Sequence, residues 1–217
     1  MAAVPPLPPE DRQRQILEVA VQMLRTEPFD QLSMDRVAAE AGVSPPLLFH
    51  YFKNKKGFQN AILEAASADL EDRMRPDPEL PITSQLRSGI ETFVDAVIEH
   101  PPTIYLAVMR MAGSGDVRMR TIYRGMRRTF TTWIVAALTN LGIESNATVE
   151  ATIAGWQAFM EEIVVNWIDE PTLERGEMVD LCERIFYHCL PAAGISVEQI
   201  VAATVVATAS ESGATQL

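Results

Sequence analysis

Cysteine and histidine are nearly missing from this chain of 217 residues, which has two of the first and three of the second. Cys182 and Cys189 stand seven apart, two turns along one helix, too far for a disulfide bond. With no CxxC nearby and His188 as a lone candidate ligand, both are expected to act as small buried hydrophobes. His50, His100 and His188 are scattered. No nucleophile stands beside a paired base, no metal-ligand spacing occurs and no glycine-rich phosphate loop is present, so the usual enzyme signatures are missing. No run approaches the roughly 18 uninterrupted apolar residues of a membrane-spanning helix. The opening MAAVPPLPPEDRQRQ does not have the basic-then-apolar order of a signal peptide. Residues 1–9 are expected to form a short Pro-rich disordered arm, and the chain is expected in the cytoplasm with no membrane partner, no cofactor and no metal. Strand-type alternation and internal repeats are absent as well.

What is present is ordinary material for a core: 47% hydrophobic and 22% charged residues. The formal net charge is −11, which argues against nonspecific nucleic-acid binding by the chain as a whole. The excess is unevenly placed. Residues 1–60 hold seven basic and seven acidic side chains, and residues 61–217 hold eleven basic and twenty-two acidic ones. Such asymmetry implies two parts with different tasks.

Nearly every periodic segment reads as helix, so the fold class is all-α. EDRQRQILEVAVQMLRTE puts Ile16, Leu17, Ala20, Val21 and Leu24 on one face and ends at Pro28. SMDRVAAEAG starts at Ser33 as N-cap and stops at Gly42 as C-cap. Further helices are expected over about 55–75, 82–99, 102–111, 116–141, 146–169 and 171–190, with a short one from about Val197. RPDPELP, His100-Pro101-Pro102 and Gly113-Ser114-Gly115 are breaks.

The stretch GVSPPLLFHYFKNKK places two prolines at the opening of a helix. The N–H groups of a first turn have no partner within the helix, so proline forfeits nothing there and its fixed φ suits the start. Ser44 is expected to cap this helix with its hydroxyl, and Leu48 and Phe52 are expected to lock it to the core. Helix, Gly-Val-Ser turn and second short helix make the spacing of a helix-turn-helix, whose second helix enters the DNA major groove. Its exposed N-terminal residues can reach base edges. His50 and Tyr51 can reach bases or phosphates, Lys53, Lys55 and Lys56 can neutralise phosphates, and Ser33 can donate to a phosphate at a helix N-terminus.

Residues 10–60 resemble the N-terminal DNA-binding domain of TetR-type transcriptional regulators, on ILEVAVQML, FDQLSMDRVAAEAGVS and LLFHYFKNKKGF. The remainder is similar only in being helical and of the expected length. The resemblance implies a three-helix DNA-binding domain over residues 10–58, with its motif at about 33–52. A larger helical domain for effector binding and dimerisation follows over 59–217. It implies no enzyme, but a homodimer on a palindromic double-stranded DNA operator, a repressor released by a small molecule. Carried over, Ser33, Pro45, Leu47, His50, Tyr51, Lys53 and Lys55 face DNA, with Ser44 and Pro46 beside them. The family often has tyrosine where this chain has Phe49, so a hydroxyl that commonly reaches phosphate is gone. Leu47 and the prolines offer few hydrogen-bonding groups, which points to apolar contact with thymine methyls and to DNA shape. An all-helical adaptor, or a small-molecule-binding protein that uses the motif only for packing, is the alternative.

In the second half, Phe93, Tyr105, Met109, Trp133, Trp156, Phe159 and Met160 are candidates to line a cavity between helices for a largely apolar effector. Arg118, Arg120, Arg124, Arg127 and Arg128 form either an anion site or a solvated face paired with acids such as Asp116, the commoner case for surface arginines. A face toward the DNA-binding domain is the third reading. The last two long helices carry stripes at Ile153, Trp156, Met160, Ile163 and Trp167, and at Met178, Leu181, Cys182, Ile185 and Cys189. The resemblance implies a four-helix dimer bundle from these helices. Periodicity alone does not separate a dimer face from an intrachain core.

Overall fold

The computed structural model describes residues 8–24, 26, 29–99, 117–196, 198–202 and 205. In chain order the α-helices among them are α1 (Pro9–Met23), α2 (Met34–Glu40), α3 (Pro45–Phe52), α4 (Lys55–Arg73), α5 (Ile82–Glu99), α6 (Val117–Asn140), α7 (Ala147–Asp169) and α8 (Arg175–Cys189). Short 3-10 turns lie at Phe29–Gln31 and Leu190–Ala193. No strand occurs among the described residues, in keeping with the all-α reading. No described helix is long and apolar enough to cross a membrane. The helix expected over 102–111, with Tyr105 and Met109, lies outside the described residues, as do Pro28 and Asp116.

The chain divides into two compact units. One holds Met1–Leu70 with Glu99–Tyr123, and the other holds Glu71–Ile98 with Arg124–Leu217. The boundary expected near residue 58 falls inside α4, and the first unit keeps that helix as far as Leu70.

In the first unit, Ile16, Ala20, Val21 and Leu24 from α1 meet Met34, Val37 and Ala38 from α2. Leu48 and Phe52 of α3, Phe58, Ile62 and Leu63 of α4, and Met119 of α6 complete this core. The rings of Phe52 and Phe58 lie 4.9 Å apart. Each large side chain buried here contributes about 1.5–3 kcal/mol. α1 opens with a proline and carries Glu10 and Asp11 in its first turn, where the helix dipole favours acids. It stops at Met23, earlier than Pro28 would require, because the N–H and hydroxyl of Thr26 both turn back onto the Met23 carbonyl.

In the second unit, Asn146 caps α7 by accepting from the N–H groups of Thr148 and Val149 at 2.9 and 3.1 Å. α8 begins at Arg175 rather than at 171. Glu174 and Glu177 form a capping box, and the Leu173 carbonyl is held by Trp167 Nε1 at 2.8 Å, so the preceding residues serve as its entry. Trp156 Nε1 donates to the Cys182 carbonyl at 2.9 Å and its ring meets Phe186 edge-on at 5.0 Å, which joins α7 to α8. Arg87 of α5 donates to Asp180 and Glu183 of α8 at 2.8 and 2.7 Å, and Arg175 of α8 grips Asp95 of α5 through two bonds of 2.6 Å. Those carboxylates raise both guanidinium pKa values further above their ordinary range. Ile153, Trp156, Met160, Met178 and Cys182 are buried within the chain, so these members of the two stripes belong to the intrachain core. Both cysteines are free, Cys182 buried and Cys189 half-buried. Burial pushes the Cys182 thiol up to about 11, which keeps it neutral and unreactive.

The arginines of α6 do not act together. Arg118 makes a two-bond fork to Glu64 of α4 at 2.5 and 2.7 Å, inside the first unit. Arg127, in the second unit, reaches the buried Glu161 at 3.5 Å, Gln157 Oε1 at 3.3 Å and the Ala154 carbonyl. Arg120 is half-buried, and Arg124 and Arg128 are exposed.

Candidate nucleic-acid interface

The first unit fixes α3 from both ends. Before it, Ser33 Oγ accepts from the Arg36 N–H at 3.3 Å and caps α2, as expected of that serine. α2 ends in a left-handed residue, Gly42 at φ +65°. The N–H of Val43 reaches the Ala38 carbonyl at 2.9 Å and that of Gly42 reaches the Ala39 carbonyl at 3.2 Å, the paired bonds of a Schellman motif. The turn into α3 is therefore closed by backbone alone.

Ser44 occupies the N-cap of α3 but its hydroxyl makes no capping bond, contrary to expectation. An N-cap side chain bonds the N–H of the second or third helical residue. Here the second is Pro46, which has none, and the third is Leu47, whose N–H already reaches the Ser44 carbonyl at 2.9 Å. The prolines start the helix and leave the serine hydroxyl exposed.

α3 is two turns long and two-faced. Leu48 and Phe52 point inward, as expected. Pro45, Pro46, Phe49, His50 and Lys53 are exposed, and Leu47 is half-buried. Tyr51 is half-buried and leans on the core, with its ring edge-on to His50 at 5.6 Å.

The link to α4 is unusually tight. Lys53 has φ +63° and ψ −44°, the one positive φ at a non-glycine residue among those described. Across it the Asn54 N–H reaches the Phe52 carbonyl at 2.7 Å, forming a γ-turn of the rarer hand. Asn54 then caps α4, its Oδ1 accepting from the Gly57 N–H at 2.8 Å. A Cβ on residue 57 would lie 2.4 Å from the Phe52 carbonyl oxygen, so glycine is required there. Lys55 and Lys56 occupy the first turn of α4, exposed, where the helix dipole repels cations. A local rule broken in this way is expected at a functional site. Two lysines at a helix N-terminus suit a phosphate.

The sequence profile described as bacterial regulatory proteins of the tetR family matches residues 16–66. Over 98 residues the chain is 30% identical to the HTH-type transcriptional regulator EthR of Mycolicibacterium smegmatis, a match that spans 43% of this chain and 45% of that protein. A tetR-family transcriptional regulator from Streptomyces coelicolor superposes with a TM-score of 0.75 at 26% identity, over 91% of this chain and 88% of that one.

Residues 16–66 thus match the tetR family, and the described fold is similar to that of a tetR-family regulator.

The TetR fold extends beyond the motif. The regulator FadR of Bacillus subtilis, solved in complex with stearoyl-CoA, superposes at a TM-score of 0.58 over 82% of this chain and 97% of its own, at 17% identity. The second unit holds a partly open pocket of about 110 Å³. Trp133, Trp156 and Met160 line it, as the apolar pattern suggested. Phe93 does not, since it is buried in packed core, and Phe159 is exposed on the outer side of α7. Phe130 lines the pocket as well, and so do Phe186, Tyr187 and Gln157, which nothing in the sequence distinguishes from other core positions. Among the described residues, none that lines the pocket carries a charge. Burial raises the Tyr187 phenol, which therefore stays neutral. Gln157 is held by Arg127 on one side and by the Thr131 hydroxyl at 3.3 Å on the other.

Proposed function

We propose that the protein is a regulator of transcription. It binds a palindromic operator as a homodimer, with residues 10–58 on the DNA and residues 59–217 for dimerisation and effector binding, and an apolar small molecule releases it. The observation that carries this reading is the outward face of α3 followed by exposed Lys53, Lys55 and Lys56. An eight-residue helix offers one face to a groove while lysines at its end meet the flanking phosphates. Ser33, Ser44, Pro45, Pro46, Leu47, His50 and Tyr51 are its DNA-facing set. The uncharged cavity suits an effector that is neutral wherever it is enclosed, since an unpaired ion there would be costly. The acyl chain in FadR agrees with an apolar effector. A second copy has room to approach α7, whose exposed face carries Ala147, Ala151, Ala154, Gly155 and Ala158. The two α3 helices of such a dimer must match half-sites about 34 Å apart. Release requires an effector that prefers a different spacing, because equal affinity for both states shifts nothing. Cytoplasm is the location this role calls for.

Selection from a random duplex library at two salt concentrations tests the proposal. A palindrome whose affinity falls steeply with salt is the expected product. Lys55→Ala is expected to lower the slope of log affinity against log salt by about 0.9 for each phosphate that is no longer neutralised. Tyr51→Ala should weaken binding as well, with helicity and dimerisation retained. Full-strength binding by both variants would remove the assigned face.

A further inference from the structure

We infer that Phe49 is the base-reading residue of α3, and that it reads the C5-methyl group of one thymine in each half of the duplex. The inference rests on the regulator reading above. Among the described residues of α1–α4, Phe49 is the large apolar side chain left in water, at 50% exposure. Burial of a phenyl ring is among the larger gains available to a fold, and three positions on, Phe52 of the same helix takes it at 5%. Phe49 lies one turn after Pro45 and one turn before Lys53, on the centre of the outward face. Around it Pro45 and Pro46 have neither a backbone donor nor a polar side chain. A ring without a hydroxyl cannot bond a phosphate and cannot tell bases apart by donors and acceptors. The major groove offers one apolar feature that marks a single base, the thymine methyl. The exposed lysines that follow suit the polyanionic backbone that flanks a major groove.

The test uses the full chain and the duplex recovered by selection, with each thymine replaced singly by deoxyuridine. That exchange removes one methyl and leaves pairing intact. One position per half-site is expected to weaken binding about fourfold, and the symmetric pair about sixteenfold, the scale of one buried methyl group each. Phe49→Ala is expected to bind more weakly and to be indifferent to that methyl, while Phe49→Tyr keeps the sensitivity. Loss of additivity between the two changes assigns the methyl to the ring. Because Phe49 is exposed, circular dichroism should match the parent, so weakened binding is not misfolding. Deoxyuridine harmless at every position, or equally harmful to Phe49→Ala, overturns the inference while the regulator reading stands. Unchanged DNA affinity of Phe49→Ala with an altered oligomeric state also overturns it and gives the ring to a protein contact. Failure to recover any duplex removes the regulator reading itself, and this inference with it.

Discussion

The two compact units hold apolar surface in opposite ways. In the first, α3 buries Leu48 wholly, at 0% exposure, and turns Phe49 out, at 50%. In the second, Trp133, Trp156, Met160 and Phe186 surround a space they do not fill. An outward surface must be aimed, and aiming is done by turns with strict residue requirements. A pocket arises where side-chain volumes fall short of filling the space between helices, and no local residue requirement marks it.

The contrast between the units meets its hardest trial at Leu48. Truncation to alanine leaves a hole in a core without slack and should cost about 2–5 kcal/mol, read from the shift in denaturant midpoint. Enlarging alanines sets the units side by side. Ala20→Leu, at a fully buried position of the first core, should destabilise by about 1–3 kcal/mol through overpacking. Ala137→Leu adds the same atoms to the cavity wall, where room exists, and should leave stability within about 1 kcal/mol of the parent. It should also abolish binding of a neutral aromatic dye that quenches tryptophan fluorescence. Equal losses from the two enlargements would mean that the second interior is as full as the first. The smallest effects belong to the turns. Ser33→Ala removes a capping bond and should cost about 1 kcal/mol, whereas Ser44→Ala removes none and should stay within about 0.5 kcal/mol. Its effect should appear in operator affinity instead.

How much is legible in the sequence follows from the same division. Gly42 at positive φ, the prolines opening α3, the cap at Ser33 and the inward pair Leu48 and Phe52 can all be read from residue type and spacing, because each answers to a local rule. The idle hydroxyl of Ser44 escapes such reading because its own carbonyl competes for the one N–H within reach. The late start of α8 is hidden because a glutamate can cap as well as extend a helix. In the second unit the apolar pattern finds the α6 and α7 walls of the cavity at Trp133 and Trp156 but also points to Phe93, which is packed core. Periodicity reports which face is dry and does not report whether the dry side is full.

The γ-turn at Lys53 carries a consequence for descent. A lysine at positive φ holds a conformation that costs roughly 1–3 kcal/mol and that glycine adopts at ease. A fold under no obligation beyond its own persistence would replace it, and selection for heat tolerance in the laboratory should do so early. A lineage that had abandoned its operator would settle on glycine at this position. On the regulator reading, the charge of Lys53 at the DNA offsets what its backbone geometry costs.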